Sequence, residues 1–204
     1  MNSRLDRRGF LVATTAAVAW PALARAAAPK ANVRHVAWLD EVQQPPETLP
    51  PDSLRLPPLL IDADGQALDA RRPSAEALLH ASIYRLHPDV NAVLHPHSPN
   101  ATLASRLFSD AIILEDYELL KALDNITTHE SRVVVPIFPN DQNIPHLALK
   151  VESYLALHPD TRAYIIAGHG FYTWGKQLDD ALRHVEALEF LFDLEIRLHG
   201  VRQS

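Results

Sequence analysis

The chain has 204 residues, with 16 prolines, 6 glycines, 11 histidines, no cysteine and a formal charge of -6. Without cysteine there is no disulfide framework, zinc ribbon or thiol nucleophile, and an acidic balance with no long basic run argues against nucleic acid as a partner. The length suits one domain with a sizeable core, and the many histidines direct attention to metal sites built from imidazole and carboxylate.

Residues 1–28 read as an export leader. Arg4, Arg7 and Arg8 make a basic start, Arg7-Arg8-Gly9-Phe10-Leu11 resembles a twin-arginine signal, and residues 10–24 carry no charge. Ala24-Arg25-Ala26 suits cleavage, and the apolar run is short of the roughly 20 residues that a spanning helix needs. Residues 29–58 follow as a proline-rich extension. Proline pairs at 45–46, 50–51 and 57–58 disfavour helix and central strand alike, so a surface wrap is expected, with one short strand at 33–39. Only Gly9 and Gly65 precede Gly168. The first half therefore lacks the glycine-rich loops that close around phosphate.

From residue 59 to the C-terminus the pattern alternates between strands and helices, as in an α/β domain layered around one sheet. Residues 59–61 predict a strand, 74–86 a helix, and 90–94 a strand. Ser98-Pro99 has the form of a helix N-cap followed by the first helical residue. Strands are expected at 112–114 and 133–138, with a short helix at 118–123 between them. A helical stripe runs through Ile144, Leu147, Ala148, Val151 and Leu155. Strands at 163–167 and 171–174 flank a Gly-His-Gly turn, and an amphipathic helix covers 177–198.

His95-Pro96-His97 lies where the 90–94 strand ends. Side chains of an extended chain repeat with period two, so both imidazoles project to one side and can bind one ion. Gly168-His169-Gly170 follows the apolar strand Tyr164-Ile165-Ile166-Ala167 and supplies a third candidate, with glycines that permit close backbone approach. Three histidines leave one coordination position open, the layout of a catalytic zinc. His80, His146, His184 and His199 fall in helices and are expected to be exposed or half-buried. His87 and His158 precede prolines and are expected to end helices.

These residues resemble the class II aldolase superfamily, and within it the methylthioribulose-1-phosphate dehydratases of methionine salvage. The matching stretches are Arg72-Pro73-Ser74-Ala75-Glu76, His95-Pro96-His97-Ser98-Pro99-Asn100-Ala101-Thr102, and Tyr117-Glu118-Leu119-Leu120-Lys121. Thr127-Thr128-His129-Glu130, Val135-Pro136-Ile137-Phe138, Asn140-Asp141-Gln142 and Gly168-His169-Gly170-Phe171-Tyr172-Thr173-Trp174-Gly175 continue them. The resemblance begins near Leu59. It implies a three-layer α/β/α domain, a homotetramer with sites near subunit contacts, and one Zn2+ per subunit on His95, His97 and His169. It also implies Glu118 as the acid/base acting on a phosphorylated ketose. Lys121 is a candidate substrate contact, and His129 is a candidate either for substrate contact or for support behind the site. Such a carboxylate works best with its pKa moved toward neutrality, which the apolar neighbours Leu114, Leu119 and Leu120 are expected to promote.

Glu76 ranks second, because aldolases of the superfamily use a glutamate at this distance before His-x-His. It keeps open two other readings: an aldolase or epimerase acting on another sugar phosphate, and a metal-binding module without turnover. Pro96 stands where the family commonly has threonine. It lacks a backbone donor but leaves both imidazoles in place. The Gly-Asn and Ser-Gly phosphate loops of the family have no counterpart in residues 1–58. The resemblance implies the cytoplasm, whereas a working leader implies the periplasm.

Overall fold

A run such as Ala163–Ile166, apolar at every position, suits a strand covered on both faces. It takes the middle place in a five-stranded sheet. The computed structural model describes residues 34–36, 59–61, 65, 66, 70 and 74–203. The expected leader, and the proline-rich extension apart from 34–36, lie outside the described residues.

In chain order the strands are β1 (Arg34–Val36), β2 (Leu59–Ile61), β3 (Ala92–Leu94), β4 (Ala111–Leu114), β5 (Val133–Phe138), β6 (Ala163–Ile166) and β7 (Gly170–Gly175). The α-helices are α1 (Ala77–Leu86), α2 (Pro99–Leu107), α3 (Ile144–Leu157) and α4 (Leu178–Arg202). β1 and β2 form an antiparallel ribbon. The main sheet runs β3-β7-β6-β5-β4. It is antiparallel except for the β5–β6 pair, where a parallel neighbour requires a crossover and α3 supplies it.

Strand periodicity sorts the core into two layers. Ala92, Leu94, Ala163, Ile165 and Phe171 face α2 and α4. Val93, Tyr164, Ile166, Tyr172 and Trp174 face α1 and α3. The expected three-layer α/β/α class II aldolase-like architecture is therefore present.

Differences from the sequence expectation are local. Helix α1 begins at Ala77 rather than 74, because the Ser74 hydroxyl accepts the Glu76 N–H at 3.1 Å and its carbonyl accepts the Ala77 N–H at 3.1 Å. A turn of this kind competes with helix and leaves Glu76 at the helix mouth. The expected helix at 118–123 is a 3-10 helix, Glu118–Ala122. His80 and His184 are buried rather than exposed or half-buried. His184 is accommodated because its Nδ1–H donates to the Trp174 carbonyl at 2.8 Å and its Nε2 accepts the Asp124 N–H at 3.1 Å. His80 packs edge-on against Tyr172, with centroids 5.2 Å apart.

Candidate metal centre

Strand β3 ends at Leu94, and just beyond His97 the residue Ser98, in an extended conformation, caps the next helix. Ser98 Oγ accepts the Ala101 N–H at 2.9 Å, and Pro99 occupies the first helical turn. The chain therefore turns sharply just after His97. In the turn that precedes the neighbouring strand β7, Gly168 adopts a left-handed φ of 67° and the His169 N–H closes on Ile166 O at 3.1 Å. The Phe171 N–H donates to Pro96 O at 3.2 Å. Proline at position 96 keeps the carbonyl that this contact uses. Gly170 permits the approach: a Cβ there would lie 2.5 Å from Pro96 O.

The result is a cluster of Glu76, His95, His97 and His169, with one ligand atom from each and all four within 4.8 Å of one another. His97 Nε2 and His169 Nε2 are 2.8 Å apart. Glu76 Oε1 lies 3.3 Å from His169 Nε2, and Oε2 lies 3.5 Å from His95 Nε2. A tetrahedral ion bound at roughly 2.0–2.1 Å to nitrogen would separate its ligand atoms by roughly 3.3–3.4 Å. The spacing is thus of the right scale.

The chemistry of the donors agrees. His95 is buried, and its Nδ1–H donates to the Phe171 carbonyl at 2.9 Å, which leaves the Nε2 lone pair facing the cluster. That Nε2 is buried and makes no hydrogen bond, a costly state unless an ion takes the lone pair. Burial, helped by the neighbouring imidazoles of His80, His97 and His169, lowers the His95 pKa to about 3 against the opposing Phe171 hydrogen bond. A ligating histidine must be neutral. Tyr172 stacks on the His95 ring at 3.9 Å and 8°. The set fits a divalent metal ion.

Glu118, Lys121 and His129 form a second, exposed group. Lys121 Nζ lies 2.6 Å from Glu118 Oε1, and His129 Nδ1 lies 3.8 Å from Glu118 Oε2. The expectation that apolar neighbours raise the Glu118 pKa is corrected. Its side chain is 74% exposed, and the Lys121 ammonium holds the carboxyl below its usual range. Leu114 and Leu120 are buried in the core, away from solvent, and so cannot desolvate an acid that points outward.

Residues 57–196 match the family described as Class II Aldolase and Adducin N-terminal domain. A methylthioribulose-1-phosphate dehydratase from Methylococcus capsulatus is 68% identical over 145 residues, which cover 71% of this chain and 71% of that protein. The corresponding protein of Pseudomonas syringae pv. syringae is 52% identical, over 70% of this chain and 71% of its own length. The chain belongs to the class II aldolase family, in its methylthioribulose-1-phosphate dehydratase branch.

The solved structures agree on this class II aldolase fold. YgbL from Escherichia coli is 25% identical with a TM-score of 0.56, covering 80% of this chain and 76% of that one. An L-fuculose 1-phosphate aldolase shares the fold at 21% identity and a TM-score of 0.56, over 71% of this chain and 63% of its own. Of the seven residues that family resemblance singles out, the structure brings together His95, His97, His169 and Glu76, and it groups Glu118, Lys121 and His129 elsewhere. Tyr172 and the Phe171 carbonyl, which fix the His95 ring, escape sequence reading. Their signals in the sequence are closeness to His169 and a place in the family-matching stretch 168–175. Among the described residues no helix is long and apolar enough to cross a membrane.

Proposed function

We propose that this chain dehydrates 5-methylthioribulose 1-phosphate to the corresponding diketone phosphate, with one zinc ion per subunit held by His95, His97 and His169. The observation that carries the reading is the joint presence of a four-donor cluster with a buried, neutral His95 and 68% identity to a protein named for that reaction. A bound zinc ion supplies Lewis acidity toward the ketone and an adjacent hydroxyl oxygen.

The chain's own residues carry the rest. Glu118, kept ionised by Lys121, removes the proton alpha to the carbonyl and returns it to the hydroxyl that departs, so that one water is lost overall. Lys121 offers positive charge, and His129 a hydrogen bond, to the substrate phosphate beside Glu118. The family's Gly-Asn and Ser-Gly phosphate loops have no counterpart in the sequence of residues 1–58, and in this reading more of that grip falls on these two side chains. Copies of the chain assemble as a tetramer that brings this exposed group against a neighbouring subunit.

The contact of Glu76 with His95 and His169 favours a second reading, in which Glu76 is the acid/base, as in aldolase or epimerase chemistry. A coupled assay on methylthioribulose 1-phosphate, with and without chelator, tests the main proposal. Turnover that is abolished by chelator and restored by zinc supports it. The absence of turnover by a zinc-loaded protein sinks it. Light scattering after size exclusion tests the tetramer.

A further inference from the structure

His169 rides on the turn between β6 and β7, a short connection that must hold one imidazole against two others from a different part of the chain. Helix α2 reaches that turn with two side chains. Thr102 Oγ1 donates to the His169 carbonyl at 3.1 Å. The Gly168 N–H donates to Ser105 Oγ at 2.9 Å, and Ser105 Oγ donates in turn to Thr102 O at 2.7 Å. Thr102 and Ser105 are three residues apart and so share one face of the helix.

The arrangement links two of the three histidines, His97 and His169, to one helix. The Ser98 cap that starts α2 directly follows His97, and the same helix grips the residue before His169 and His169 itself. The left-handed Gly168 is the point at which the turn could relax if its N–H lost the Ser105 hydroxyl. Outer partners of this kind orient ligands and typically alter metal affinity by about 10–100-fold.

We propose that Thr102 and Ser105 are positioning residues which set the His169 imidazole for metal capture; the inference rests on the reading of the histidine cluster as a metal centre. The two hydroxyls bond to main-chain atoms. They act through the turn backbone, one on the carbonyl of His169 and one on the amide of Gly168.

The test compares wild type with Thr102→Val, Ser105→Ala, the double variant and Thr102→Ser. Zn2+ affinity is read by chelator competition, and ligand geometry by the d–d absorption of the Co2+ form. Far-UV circular dichroism and melting of the metal-free proteins report folding independently. Expected are losses of about 10-fold for each single variant and about 100-fold for the double. A shifted Co2+ spectrum should accompany them, with recovery in Thr102→Ser, which keeps a donor hydroxyl. Folded variants with wild-type affinity and spectrum would overturn the proposal, as would a Thr102→Ser protein no better than Thr102→Val. A wild-type protein that binds neither Zn2+ nor Co2+ would instead sink the metal-centre reading, and this inference with it.

Discussion

His97 Nε2 and His169 Nε2 face each other at 2.8 Å across 72 positions of sequence. The contact exists because the Phe171 N–H docks on Pro96 O, which brings two distant strand ends side by side. Replacing either imidazole by alanine should reduce Zn2+ affinity by more than about 100-fold, beyond the range of outer partners. Plasma emission spectrometry of dialysed protein measures it. Since the ion binds only the folded form, adding Zn2+ should raise the melting temperature of the wild type and leave that of His97→Ala nearly unchanged.

Glu76 and Glu118 can be separated by kinetics. If Glu118 moves the proton, Glu118→Gln should lower kcat by about 100–10,000-fold, the usual range for a general acid or base, while bound zinc remains stoichiometric. Glu76→Gln should then act mainly on metal affinity, because its carboxylate lies against His95 and His169. The reverse pattern, with kcat lost at Glu76 and little change at Glu118, favours the aldolase-like reading.

Gly170 has a packing reason that is independent of the reaction. A methyl group there would meet Pro96 O at 2.5 Å, His95 Cε1 at 3.1 Å and the His97 Cα at 3.1 Å. A backbone carbonyl cannot swing aside, so Gly170→Ala should cost about 1–3 kcal/mol of stability and loosen metal binding together with it. Urea denaturation of the metal-free protein and chelator competition on the folded protein read the two effects.

Stability should depend on pH through His184. Burial, as the largest influence, lowers its pKa below 6.5 despite the nearby Asp124 carboxylate. The unfolded chain therefore takes up a proton first as pH falls, so the contribution is complete above about 6.5 and is lost toward the depressed folded value. The urea midpoint should fall between pH 7.5 and 5.5. It should fall less in His184→Gln, although His95 and His87, also lowered mainly by burial, keep much of the dependence in place.

What could be read from the sequence is what short-range geometry dictates. The apolar run of β6, the Ser98-Pro99 start of α2 and the period-two projection of His95 and His97 need only a few consecutive residues, and each appears in the fold. His169 was legible as a third candidate because glycines bracket it after a buried strand. Its meeting with the other two depended on β3 and β7 pairing.

Other features belonged to packing alone. His184 and His80 look like helix-surface residues until α4 and α1 are laid on the sheet, where backbone partners and Tyr172 receive them. Glu118 has apolar neighbours in sequence yet points to solvent, because a 3-10 helix sends adjacent side chains in different directions. The sequence by itself determined the α/β class, the family and the three ligand candidates, since these rest on periodicity and local motifs. Tertiary structure decided that Glu76 joins the histidines, that Glu118 stands apart, and that α2 grips the His169 turn. Each of those depends on which elements pack together, and that is settled only when the whole core closes.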